Sequence, residues 1–352
     1  MNWNELEFYN GKRVLITGHT GFKGSWLSQI LVLAGAEVTG YSLEPPTNPS
    51  LFDEAGIADK INHVVADVRD RDKMMQVFKD VQPEIVFHLA AQPIVRESYK
   101  DPVGTYETNV MGTVNICEAV RQTPSVKSFL NVTTDKVYKN NETNQGFKED
   151  DPLDGYDPYS NSKSCSELVT HSYINSFYND MDLAVSTARA GNVIGGGDYA
   201  VDRIIPDCVR AAEKGEAIIV RNPYSTRPYQ HVLEPLNIYL TIAMEQYKDK
   251  SKAGFYNVGP NDEDCVETGH LVDKFSSAWG DGMTWENKSD GGPHEANFLK
   301  LDCALIKEKF GWKPVWGVDK AIEMVVQFSK KRMEDPNGVA EELEAEIREF
   351  FG

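Results

Sequence analysis

The alternation of short β-branched apolar runs with segments of helical length constrains this chain most. RVLITG (13–18), EVTGYSL (37–43), HVVADV (63–68), EIVFHLA (84–90), FLNVTT (129–134) and LAVSTARAG (183–191) read as buried strands, apolar along most of their length. Between them, 25–33, 72–78, 105–120 and 161–177 carry apolar residues at helical spacing. This order predicts an α/β fold, a doubly wound parallel sheet of the dinucleotide-binding Rossmann type with right-handed crossovers. At 352 residues, 41% of them hydrophobic, the chain has room for a second, smaller domain. After Gly191 the alternation loosens into loops such as GGGD, NPYSTRP and SDGGPHE. The expected division is 1–190 for the sheet domain, rejoined by 228–260, and 191–352 mainly for a ligand-binding domain over the carboxyl ends of the strands. The tail EELEAEIREFF is expected to be a solvated surface helix.

Several classes are disfavoured. A net charge of −18 repels a phosphate backbone, and no basic stripe offsets it, so no nucleic-acid partner is expected. Nothing approaches the roughly 20 apolar residues of a membrane span, and the first residues, MNWNELEFYNGKR, lack the apolar run of a signal peptide. A cytoplasmic protein without a membrane partner is expected. Five scattered cysteines without C-x-x-C spacing read as free thiols, and no metal site is expected. In the least acidic long stretch, 184–231, Arg189, Arg203, Arg210, Lys214, Arg221 and Arg227 face five carboxylates, so an anionic ligand is best sought there.

Directly after the first strand stands GHTGFKG, with Gly18, Gly21 and Gly24 leading into SWLSQILVL. Glycine there permits a tight turn, the approach of a pyrophosphate and close helix packing, while the helix start supplies amide donors. NADP needs a cation near the end of the second strand, and residues 24–59 contain no Lys or Arg, so NAD is the expected cofactor. Further on, Tyr159 and Lys163 in DPYSNSKSCSELV share one helix face. An ammonium beside a phenol favours phenolate, so the pair is expected to bring Tyr159 from about 10 toward neutrality as a base.

The spacing G-x-x-G-x-x-G, TTDKVY (133–138) and GNVIGGGDY (191–199) together resemble the extended short-chain dehydrogenase/reductases, and among them the CDP-glucose branch of the nucleotide-sugar 4,6-dehydratases. The segments 222–232 and 294–314 extend the resemblance over nearly the whole chain. It implies that Gly18, Thr20, Gly21, Phe22, Lys23, Gly24, Asp67, Val68, Leu89, Ala90 and Ala91 border NAD, together with Tyr159 and Lys163. The usual ribose-binding aspartate is replaced by Ser42, with Glu44 a substitute. Thr134 would hydrogen-bond the sugar 4-hydroxyl, Asp135 and Lys136 would supply acid and base, and Asn192, Arg203 and Arg227 would hold the diphosphate.

The implied activity is that of a lyase making CDP-4-keto-6-deoxyglucose in deoxysugar and O-antigen biosynthesis. A homodimer or homotetramer built on the 105–120 and 161–177 helices is implied as well. The rival readings are a nucleotide-sugar 4-epimerase, which does not need the Asp135-Lys136 pair, and a non-catalytic NAD-sensing protein on the same fold. His231 reads as structural.

Overall fold

The computed structural model describes residues 1–140, 145–288 and 298–352. The quoted SDGGPHE loop and the start of the 294–314 segment therefore lie outside the described residues.

Seven parallel strands form the central sheet: β1 (Arg13–Thr17), β2 (Glu37–Ser42), β3 (Asn62–Val65), β4 (Ile85–His88), β5 (Ser128–Thr134), β6 (Ala184–Ala190) and β7 (Phe255–Val258). Their order is β7-β6-β5-β4-β1-β2-β3. All neighbours run parallel. The order reverses between β1 and β4, which opens a crevice at the carboxyl ends of the strands. Successive residues of β1 serve opposite faces. Val14 and Ile16 pack with Trp26, Leu236 and Leu240. Leu15 packs with Phe78, Ile116 and Phe129. A third core, around Ile205, Ile218, Leu271, Phe275 and Ile322, belongs to the later part of the chain.

Several local boundaries differ from expectation for visible reasons. β3 stops at Val65 because Asp67 turns the chain, its carboxylate accepting from the Arg69 amide at 2.8 Å. The 161–177 helix begins earlier, as Pro158–Tyr173, because Asp157 caps it and Pro158 fits its first position. The 105–120 helix is interrupted by a π-helical turn, Glu107–Met111, where buried Asn109 exchanges hydrogen bonds with Gln92 and donates to Ser162 Oγ at 2.9 Å.

β7 was not legible as a strand because Asn257 breaks its short apolar run. The Leu233–Lys248 helix returns to the sheet, where Gln246 donates to Ser128 Oγ and to the Phe129 carbonyl. The Val339–Phe351 helix corrects the expectation of a solvated tail. Its Leu343, Ile347, Phe350 and Phe351 join the first core, and buried Glu346 pairs with His231 at 2.8 Å. The acidic alternation marked one polar face of an amphipathic helix, not a polar helix. No helix among the described residues is long and apolar enough to cross a membrane.

Candidate active site

A cavity of about 1100 Å³ opens at the carboxyl ends of the strands. It exceeds the common range for one small ligand, roughly 300 to 1,000 Å³, so a dinucleotide and a second nucleotide have space together. Its wall includes Gly18, Thr20, Gly21, Phe22, Lys23 and Gly24 from the first loop and Asp67 and Val68 after β3. Leu89, Ala90 and Ala91 follow β4, Thr134, Asp135 and Lys136 follow β5, and Tyr159, Lys163, Asn192, Arg203 and Arg227 complete the set. Every residue singled out by sequence as a site candidate thus borders the same space.

The first loop is shaped by its glycines. Gly18 has φ +77°, and a Cβ there would stand 2.7 Å from the Ala90 nitrogen. A Cβ at Gly24 would lie 2.1 Å from the Gly18 carbonyl oxygen, so the Phe22–Leu33 helix can approach β1 only with glycine there. The helix start, free of side-chain caps, presents its amides to the cavity. At the end of β2, Ser42 is hydrogen-bonded to Thr20 (2.9 Å), while exposed Glu44 reaches the cavity edge. The Asp67 carboxylate is engaged by Arg69 at 2.7 Å, which holds it below the usual carboxylate range. These features fit the phosphate and ribose parts of a dinucleotide.

The Pro158–Tyr173 helix brings Tyr159 and Lys163 to the cavity, and the end of β5 brings Thr134, Asp135 and Lys136. Asp135 is 1% exposed. One of its oxygens accepts from Thr134 Oγ1 at 2.9 Å, and the other has no hydrogen-bond partner among the described residues. Burial raises its pKa against the opposing charges of Lys136, Arg227 and Lys23. A carboxyl held toward its neutral form, with an oxygen to spare, is suited to give a proton.

Tyr159 departs from the expectation of a phenol drawn toward neutrality. Burial is the larger influence and pushes it up to about 12, with a Thr134 hydrogen bond opposing. Lys163 donates instead to the Val132 carbonyl at 3.1 Å, and burial together with Lys23 brings it down to about 8. Burial and Arg203 do the same to Lys23, also to about 8. A depressed phenol therefore requires a further positive charge in the cavity.

The cationic stretch divides. Arg189 is fully buried, is paired with Glu167 at 2.9 Å and does not line the cavity. Arg210 pairs with Asp207, and Arg221 with Asp202 and Asp207. Arg203 meets Asp198 at 3.1 Å, and Arg227, 4% exposed, lies close enough to act on Asp135. Sequence reading gave no site role to Asp198, Tyr199, Tyr229 and Thr268, which border the cavity, and named Arg221 only among the cations of 184–231. Only the GGGDY motif hinted at the first two.

The description of a matching family model, "GDP-mannose 4,6 dehydratase", applies to residues 15–325. The chain is 47% identical over 332 residues to a CDP-glucose 4,6-dehydratase of Salmonella typhimurium, covering 93% of this chain and 92% of that one. It is 26% identical over 335 residues to a UDP-glucose 4-epimerase of Mycolicibacterium smegmatis, covering 91% and 99%. Among solved structures it resembles the dTDP-glucose 4,6-dehydratase of Bacillus anthracis in complex with NAD. That match has a TM-score of 0.78 and 22% identity, and covers 92% of this chain and 98% of the other. The chain belongs to the GDP-mannose 4,6 dehydratase family of extended short-chain dehydrogenases/reductases.

Proposed function

We propose that the protein is a CDP-glucose 4,6-dehydratase, a lyase converting CDP-glucose to CDP-4-keto-6-deoxyglucose and water, with NAD as its resident cofactor. The observation that carries this reading is that the Tyr159-Lys163 pair and the Thr134-Asp135-Lys136 run, supplied by different elements, border one cavity. An enzyme acting only at carbon 4 has no task for a buried Asp135 whose pKa is raised by burial. The 47% identity to a CDP-glucose 4,6-dehydratase favours the cytidine nucleotide.

The first loop would hold the NAD pyrophosphate, Ser42 or Glu44 the adenosine ribose, and Asp67 and Val68 the adenine edge. Bound there, NAD would supply the hydride chemistry, as acceptor for carbon 4 of the sugar and later as donor to carbon 6. Thr134 orients the 4-hydroxyl, and Tyr159 accepts its proton. The 4-ketone so formed acidifies carbon 5, where Lys136, as the neutral amine, takes the proton. Asp135 protonates the 6-hydroxyl, which leaves as water. Asn192, Arg203 and Arg227 hold the diphosphate, where arginine offers forked donors.

The protein should carry NAD, not NADP, because residues 24–59 offer no cation for a ribose phosphate. Denaturing the purified protein and identifying the released nucleotide checks this, and a fraction dominated by NADP would contradict it. The substrate is tested by incubation with CDP-, dTDP-, UDP- and GDP-glucose. A 4-keto-6-deoxy product is expected from CDP-glucose foremost, and equal turnover of all four would remove the cytidine assignment.

The helices of residues 95–121 and 158–178 expose Val103, Met111, Leu168 and Phe177. Pairing of these faces would make a cytoplasmic homodimer, which sedimentation velocity at micromolar concentration would show.

A further inference from the structure

Tyr159, Lys163 and Glu167 follow one another at helical spacing on the buried face of the Pro158–Tyr173 helix. Glu167 is completely buried and does not itself line the cavity. Its carboxylate accepts from Thr133 Oγ1 at 2.5 Å, from Thr187 Oγ1 at 2.8 Å and from Arg189 at 2.9 Å. Thr133 immediately precedes Thr134, so these bonds tie the helix carrying the tyrosine and lysine to the strand end carrying the threonine, aspartate and second lysine. Arg189 continues the chain of contacts, donating to Tyr138 Oη at 2.7 Å, and Tyr138 donates to Asn257 Oδ1 on β7 at 2.6 Å.

Burying a carboxylate and a guanidinium is costly, and well-packed apolar residues often serve stability as well or better. A stability role alone therefore does not account for the pair. We propose that Glu167 is a positioning residue that acts through Lys163, fixing the catalytic helix against β5 and keeping the Lys163 ammonium charged beside Tyr159. This inference rests on the dehydratase reading for its effect on turnover, though not for its effect on Lys163.

The charged and titratable groups around Lys163 support it. From its own helix come Tyr159 and Glu167, from the Phe22–Leu33 helix Lys23, and from β4 His88. His88 is kept neutral, its pKa brought to about 3 by burial and by Lys163 itself, and it shares a hydrogen bond with Thr17 (2.7 Å). Lys23 repels the ammonium, and Glu167 is the anion that favours it. Behind Glu167 stand Arg189 and His171, the latter 3.8 Å away and shifted toward its neutral form by burial.

The test uses full-length protein with carbon-13-labelled lysine, in which the Lys163 signal is assigned by its absence from Lys163→Met and titrated by NMR. In the wild type it should titrate near 8. In Glu167→Gln the midpoint should fall by about one unit, the usual scale for removing a nearby opposite charge. The alkaline limb of carbon 4 oxidation should fall with it, while the KM for CDP-glucose stays within about twofold. Should the orphaned Arg189 prevent folding, Glu167→Gln with Arg189→Gln carries the same test. A folded variant whose Lys163 titrates as in the wild type would overturn the proposal, as would a loss of melting temperature without a shifted limb. If the wild type fails to turn over CDP-glucose, the dehydratase reading fails, and the Lys163 titration still decides the role of Glu167.

Discussion

Tyr159→Phe should lower turnover of CDP-glucose by roughly 10²- to 10⁴-fold, the range for removing a positioned proton acceptor. Dissociation constants for NAD and CDP-glucose should change little, because the substitution removes one oxygen and almost no contact area. Isothermal titration of the variant beside a steady-state assay separates the two. Turnover near the wild-type value would remove Tyr159 from the mechanism.

The pH dependence follows from the same group. A phenol at about 12 is ionised to about one part in ten thousand at pH 8, too little for an efficient base. The Lys163 ammonium and the positive nicotinamide of bound NAD must both lower it. Raising the pH should therefore increase the rate along the acid limb as phenolate forms.

The second large effect is expected at Asp135. Asp135→Asn preserves size and the hydrogen bond from Thr134 but cannot release a proton to the departing 6-hydroxyl. Net turnover should fall by roughly 10²- to 10⁴-fold while oxidation at carbon 4 continues, so reduced cofactor should accumulate on the enzyme and absorb near its characteristic band. Lys136→Met, in contrast, should stop exchange of the carbon 5 hydrogen with solvent deuterium, and undiminished exchange would exclude Lys136 as the base.

Asp135 also links activity to stability. Its folded-state pKa is raised by burial, so the native chain holds this proton more firmly than the unfolded chain does. The sign is that of a raised group: its stabilising effect is full below the unfolded value near 4 and is lost as pH rises through the folded value. An asparagine at this position has no proton to lose and escapes that penalty. The Asp135→Asn variant should consequently melt at a higher temperature than the wild type at pH 7, and the difference should vanish below about pH 4. A lower melting temperature at pH 7 would mean that the charges of Lys136, Arg227 and Lys23 outweigh the burial.

Features carried by local chemistry were legible in the chain itself. The glycine loop announces its backbone geometry because only glycine accommodates the φ of Gly18 and the approach at Gly24. Tyr159 and Lys163 announce themselves by helical spacing, and six of the seven sheet strands by apolar runs. What depended on distant partners was not legible. The conversion of the acidic tail into a packed helix required the facing core and His231. Burial raises the Tyr159 pKa because of everything around it, so no local pair could reveal the direction. Likewise, Arg189 is set apart as structural by Glu167, which is 22 residues away in sequence.

The central claim is that one cavity both oxidises carbon 4 and eliminates water across carbons 5 and 6. The most direct measurement is conversion of CDP-glucose carrying deuterium at carbon 4 by the NAD-loaded protein, followed by mass and NMR analysis of the product. The account predicts a 4-keto-6-deoxy sugar nucleotide with the deuterium in its carbon 6 methyl group. Recovery of the 4-epimer with deuterium still at carbon 4, or of unchanged sugar, would contradict it.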